Sequence, residues 1–276
     1  MSEQNEFPKN ERPTPAAWAD NPFQAPGAHV EDVRRAGDGA LLDEPNRLTA
    51  GRGSAWWSGG WSLFRKASGL WIGITIAMII LMMLLTVIPV LGPLATYILM
   101  PVLSGGLMLG CHSLQSDEGL SFGHLFAGFQ RNFGQLALVG LLYLVGFVVV
   151  MLILFVAFGG AFAMAVFGGS ARSGTALSTL IFGVVLAFTL ITPLAMSIWF
   201  APALVMLNEI PAAQAMKLSF LGCWRNVLPF LVYGLIAIAL MFAATIPFAL
   251  GWLVLIPTGI CSSYRAYREI YLADRQ

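Results

Sequence analysis

Polar and apolar positions divide the chain sharply. Residues 1–50 are polar and broken by Pro8, Pro13, Pro15, Pro22, Pro26 and Pro45. From about residue 70 onward apolar runs dominate, and their lengths decide what they are. A helix needs roughly 20 apolar residues to cross a bilayer, whereas a surface helix of a soluble domain keeps a polar face. Leu70–Val90 predicts a first span ending at Ile88-Pro89, and Pro93–Cys111 predicts a second, joined to it by a turn at Leu91-Gly92. The next two runs exceed one straight span. Within Phe133–Phe167 the third span is expected at about Gln135–Phe158, broken at Gly159-Gly160, with Ala161–Phe167 at the far interface. Gly168–Gly174 reads as a loop. Thr175–Leu207, interrupted by Pro193 and Pro202, predicts one kinked or tilted span. Val227–Pro247 is the fifth, and Leu250–Ser262 and beyond the sixth.

Between the spans the period changes. Phe122, Leu125, Phe126, Phe129 and Phe133 recur at helical spacing, with Ser121 placed to cap the start. Met216, Phe220, Cys223, Trp224 and Val227 do the same behind Pro211. Trp57, Trp61 and Phe64 precede the first span, and Tyr264, Tyr267 and Tyr271 follow the last. A helix with an apolar face and a basic edge rests in the membrane interface, so these four segments predict a cytoplasmic collar.

Composition agrees. Apolar residues make up 58% and charged residues 11%, with a mean hydropathy of +0.77, against about 25% charged residues in soluble domains. The placement of charge is more informative than the net +1. Arg52, Arg65, Lys66, Arg131, Lys217, Arg225, Arg265, Arg268 and Arg275 all fall on one side of a six-span arrangement, and Arg172 alone on the other. Basic flanks stay cytoplasmic, so both termini are expected inside. Trp56, Trp57, Trp61, Trp71 and Trp224 are expected at the cytoplasmic interface and Trp252 at the opposite one. The first sixty residues hold no early apolar core, so no secretory leader is expected. The predicted organisation is a disordered cytoplasmic tail over 1–50, in which Val30–Arg35 could form a short helix, a helical membrane domain over 51–272 and a short tail over 273–276.

An internal repeat sharpens this all-α polytopic fold. Phe126-x-Gly128-x-x-Arg131-Asn132 matches Phe220-x-Gly222-x-x-Arg225-Asn226, and Gly140-Leu141 matches Gly234-Leu235 at the same offset. The chain then reads as three parallel helical hairpins, each led by a cytoplasmic amphipathic segment. Pro101, Pro193 and Pro257 each fall inside an even-numbered span and are kink candidates.

Little in the chain points to chemistry. No acid or base lies within a span, which argues against proton coupling. Cys111, Cys223 and Cys261 sit toward the reducing side, so no disulfide is expected. They and His112 and His124 show no metal-ligand spacing, and neither a metal nor a cofactor is expected. Nucleophile elbows, zinc-protease motifs and phosphate loops are lacking, so no enzymatic activity is expected. Arg131, Asn132, Arg225 and Asn226 remain as candidates for lipid headgroups, because guanidinium and amide donors suit phosphate; the bland alternative is a positive-inside anchor plus a helix start.

Ala50-Gly51-Arg52-Gly53, Trp57 and Trp61 through Arg65, and Gly69-Leu70-Trp71-Ile72-Gly73 resemble the opening of an uncharacterised bacterial inner-membrane family. Gly105–Gly110, His124–Phe129, Trp199–Leu204 and Arg225–Phe230 continue the resemblance, which spans roughly residues 48–272. That family is similar in layout to the membrane region attached to some glycerophosphodiester phosphodiesterases, but this chain carries no phosphodiesterase domain. The resemblance implies a multi-pass inner-membrane protein and brings no catalytic residues. The function expected is lipid-organising or envelope-supporting, with the bilayer and its anionic lipids as partners and no nucleic acid. The alternative is a transporter or channel for a small neutral or amphiphilic solute.

Overall fold

The computed structural model describes residues 39–89, 91–167 and 173–273, and only the backbone of 160–167 and 173–180. The proline-rich residues 1–38, with Val30–Arg35 among them, the 168–172 segment with Arg172, and residues 274–276 lie outside the described residues.

Each long apolar run forms helix, because in hydrocarbon a backbone must satisfy its own hydrogen bonds. The first hairpin is α1 (Arg52–Arg65), α2 (Ser68–Thr86) and α3 (Leu91–Gln115). The second opens with a 3-10 helix (Phe122–Phe126) and the one-turn α4 (Ala127–Gln130), then α5 (Phe133–Phe167), α6 (Ser173–Trp199) and α7 (Ala201–Asn208). The third is α8 (Ala212–Arg225), α9 (Val227–Thr245) and α10 (Trp252–Tyr271).

Among the described residues five stretches are long and apolar enough to cross a membrane: α2, α3, Phe133–Gly159 of α5, Ile181–Asn208 across α6 and α7, and α9. The sixth crossing follows from geometry. Leu41 bridges Leu272, and Arg52 is ion-paired to Glu269, so the start of the membrane domain and its end lie side by side. Five crossings would leave them on opposite faces of the bilayer. Helix α10 therefore returns the chain to the side of α1.

Several expectations are corrected. Helix α5 does not break at Gly159-Gly160 but runs on as 35 residues, about 52 Å of helix. A helical glycine weakens a helix by only about 1 kcal/mol and does not by itself end it. Helix α6 likewise continues through Pro193, and the break comes at Phe200, just ahead of Pro202. Span six and the tyrosine segment are one helix rather than a span and a separate interfacial piece.

The amphipathic segments are present, but α1 and the end of α10 bury most of their aromatic faces against protein, while Phe122, Phe126, Phe129 and Phe133 of the second segment and Trp224 of the third stay exposed. Helix α1 packs along the C-terminal half of α10 and the start of α9. Trp56, Tyr264, Tyr267 and Tyr271 are 0–1% exposed, and Trp57 and Trp71 are buried too. Trp57 stacks on Tyr233 at 4.9 Å between ring centroids and donates its indole N–H to the Tyr233 carbonyl at 3.1 Å. The approach is close enough to demand glycine. A Cβ on Gly53 would stand 2.2 Å from the Pro229 carbonyl oxygen, and one on Gly60 2.6 Å from the Ser262 nitrogen. Of the expected tryptophan belt only Trp61 and Trp224 are exposed on this side. The core sits at this end of the molecule, where α3, α7 and α10 bury Leu103, Leu107, Leu204 and Ile270.

The expected tail boundary at residue 50 also moves. Residues 40–48 form an extended strap that completes the end of α10. A helix leaves its last four carbonyls without intrahelical partners. Here Leu272 N–H donates to Arg268 O at 3.0 Å, the Asn46 amide to Glu269 O at 3.1 Å, Asn46 N–H to Ile270 O at 2.7 Å and Leu42 N–H to Tyr271 O at 2.9 Å.

Candidate functional site

The two copies of the repeat build the same kind of joint. In each, the asparagine precedes a span and its carbonyl accepts the first helical bond: Leu136 N–H to Asn132 O at 3.0 Å, and Phe230 N–H to Asn226 O at 3.1 Å. The repeated glycines admit close neighbours, since a Cβ on Gly128 would meet Val102 O at 2.0 Å and one on Gly222 the Tyr271 hydroxyl at 2.1 Å. Both asparagine side chains hold backbone. Asn132 Nδ2 donates to Val205 O at 3.1 Å. Asn226 is fully buried and does more. It accepts from Leu48 N–H at 2.8 Å and donates to Asn46 O at 2.8 Å and Gly222 O at 2.9 Å. Its amide therefore presents no free face to a headgroup.

The arginines differ. Arg131 is exposed, and among the described residues its guanidinium has neither an ion pair nor a hydrogen bond. It lies beside a ladder of exposed rings, with Phe126 and Phe129 at 6.3 Å and Phe129 and Phe133 at 5.7 Å. Arg225 donates to Pro45 O at 3.1 Å and to the Glu44 carboxylate at 2.6 Å. Next to it Trp224 is 63% exposed and stacks on Phe220. A groove of about 590 Å³ is lined by Glu44, Pro45, Asn46, Arg47, Trp224 and Arg225. A second, of about 240 Å³, continues on the other side of Arg225 past Asp43, Gln214 and Lys217. The strap's contribution to this site carries no motif in the sequence.

The prolines do not converge on the site. Pro101 and Pro257 are buried within α3 and α10, whereas Pro193 is exposed, and all three helices run on through them. The helix break at Phe200 has a different device. Phe200 N–H, which in an unbroken helix would donate to Met196 O, instead donates to the Ser219 hydroxyl at 2.9 Å. That hydroxyl donates in turn to Met196 O at 2.7 Å. One side chain from α8 is thus inserted into the missing rung, and Ser219 is wholly buried.

The remaining reactive groups are structurally engaged. Ser113 Oγ lies 3.4 Å from His124 Nε2, which superficially suggests a nucleophile and its base. His124 Nδ1, however, accepts the Ser121 N–H at 3.0 Å, so neutral His124 carries its proton on Nε2 and donates to Ser113. The pair is wired against proton abstraction, and Ser121 with His124 forms a capping box for the 3-10 helix. Burial holds His124 below the ordinary histidine value, outweighing the Ser121 backbone and the Glu118 charge, which act the other way. Stability from this group is complete above the unfolded value of about 6.5 and declines as pH falls through it, because only the unfolded chain then takes up the proton readily. The melting temperature in detergent should drop between about pH 7.5 and about pH 5.5. His124→Gln, which retains a capping-box acceptor, should flatten that drop; an unaltered pH profile would show that His124 does not cause it. Burial pushes the Cys223 thiol up to about 12, and its sulfur rests against Met196 O. Cys111 and Cys261 touch as free thiols at 3.8 Å. Among the described residues no three His, Cys, Asp or Glu side chains converge as metal ligands would.

No family model and no solved structure matches the chain. A probable inner membrane protein of Burkholderia thailandensis is 30% identical over 250 residues, covering 81% of this chain and 92% of that protein. With the crossings derived above, that similarity places the chain in the inner membrane as a multi-pass protein, and it belongs to the same family as this probable inner membrane protein.

Proposed function

We propose that the protein is a non-enzymatic organiser of anionic lipid in the cytoplasmic leaflet. The observation that carries this reading is the pairing, in both repeat copies, of an arginine with exposed stacked rings: Arg131 with Phe129 and Phe133, and Arg225 with Trp224. Aromatic rings favour the headgroup level and guanidinium groups favour phosphate, so each pair suits one lipid. The asparagines serve the joint and not the lipid. What weighs against a conduit is the layer of Leu103, Leu107, Leu136 and Phe200, each at most 2% exposed, which a solute would have to part.

A basic residue near an anionic membrane surface contributes about 1 kcal/mol. Arg131→Ala combined with Arg225→Ala should therefore weaken anionic phospholipid binding on the order of tenfold, as seen by native mass spectrometry of the purified protein. Zwitterionic lipid should be retained equally by both forms. If the double variant holds anionic lipid as well as the parent does, the reading is wrong.

A further inference from the structure

We infer that Glu44 is a built-in competitor for the anionic headgroup at Arg225, an inference that rests on the lipid reading above. The Glu44 carboxylate takes the guanidinium nitrogen that a lipid phosphate would take, at 2.6 Å. The pair is open to exchange, for the Glu44 side chain is 73% exposed and that of Arg225 39%. Exposed pairs of this kind contribute at most about 1 kcal/mol, so a phosphate can displace the carboxylate at little cost. Displacement need not unseat the strap. Its backbone is held independently by Asn226 and by the end of α10, and Arg225 has a second bond to Pro45 O.

With Glu44 swung out, Arg225 is open to a phosphate, and it lines both grooves, one shared with Arg47 and the other with Lys217 and Asp43. Trp224, 63% exposed, lines one of these grooves beside Arg225. This favours a lipid over a soluble phosphate, since the ring has no role in holding a free ion. The occupant is an anionic phospholipid whose phosphate replaces the glutamate. The site then responds to leaflet composition: the carboxylate holds Arg225 when anionic lipid is scarce and yields when it is plentiful.

The test titrates phosphatidylglycerol, phosphatidylcholine or inorganic phosphate into the detergent-solubilised full chain and follows adducts by native mass spectrometry. Glu44→Gln should bind phosphatidylglycerol about three- to fivefold more tightly than the parent, with phosphatidylcholine unchanged. Lys217→Ala, an exposed position, should weaken phosphatidylglycerol binding without changing the melting temperature. If Glu44→Gln binds as the parent does while Lys217→Ala and Arg225→Ala weaken binding, the competition is refuted and the headgroup site stands. If none of the three changes phosphatidylglycerol binding, the headgroup site itself is refuted. Inorganic phosphate that displaces phosphatidylglycerol at comparable concentration would overturn the assignment to a lipid.

Discussion

Ser219→Ala should destabilise the protein by about 3 kcal/mol, measured by thermal or denaturant unfolding in detergent. The substitution removes one oxygen and opens little space, so lost packing is the smaller part of this. The larger part is that two backbone groups lose their only local substitute for a helical bond. Phe200 N–H would be left without an acceptor, and Met196 O would keep only the weak contact of the Cys223 sulfur at 3.6 Å. Phe200 is fully buried and no water reaches it. A buried donor or acceptor left unpaired costs about 1–3 kcal/mol. Ser219→Thr keeps the hydroxyl and should restore part of the loss. A Ser219→Ala protein as stable as the parent would mean that the α6–α7 break satisfies itself by another route.

The second large effect is expected at Asn226. Asn226→Ala removes bonds to Leu48 N–H, Asn46 O and Gly222 O at once, for about 2 to 4 kcal/mol. Its signature is local as well as global. The strap loses its anchor, so trypsin should cut after Arg47 faster than in the parent at equal concentration. Asn132→Ala is the matched control from the other repeat copy. It removes one bond, to Val205 O, and places alanine at φ 55°, where asparagine is tolerated better. It should be the milder change and leave cleavage at Arg47 untouched. Equal cleavage in both variants would break the link between Asn226 and the strap.

These two residues mark the limit of what the sequence discloses. The spans were legible because a run such as Val227–Thr245 has one physical reading. The Arg-Asn repeat was legible as a pattern, but its chemistry was not. Lipid phosphate and a neighbouring backbone call for the same amide donors, and only the fold decides between them: Asn226 goes to the backbone, while the Arg131 guanidinium stays open among the described residues. The amphipathy of α1 was plain from Trp57, Trp61 and Phe64, yet periodicity cannot say whether an apolar face meets lipid or protein. Ser219 carries no signal at all, being one hydroxyl on a helix without a motif. Residues 40–48 share the polar, proline-marked composition of the tail before them, so nothing local told the strap from its surroundings. Pro193 and Pro202 looked equivalent. The helix breaks only ahead of Pro202, where a hydroxyl from α8 stands ready to replace the lost rung.

The burial of α1 against α10 has a consequence for biogenesis. Trp56 donates its indole N–H to Glu269, 213 positions later in the chain. At about 5–20 residues per second, a ribosome needs about 10–40 s to supply that partner after Trp56 emerges. During that interval the tryptophan face of α1 has no protein to cover it and must rest on the bilayer surface or on a chaperone. The interfacial position read from the sequence for α1 thus describes the nascent protein, and insertion of the final helix covers Trp56 and closes the fold.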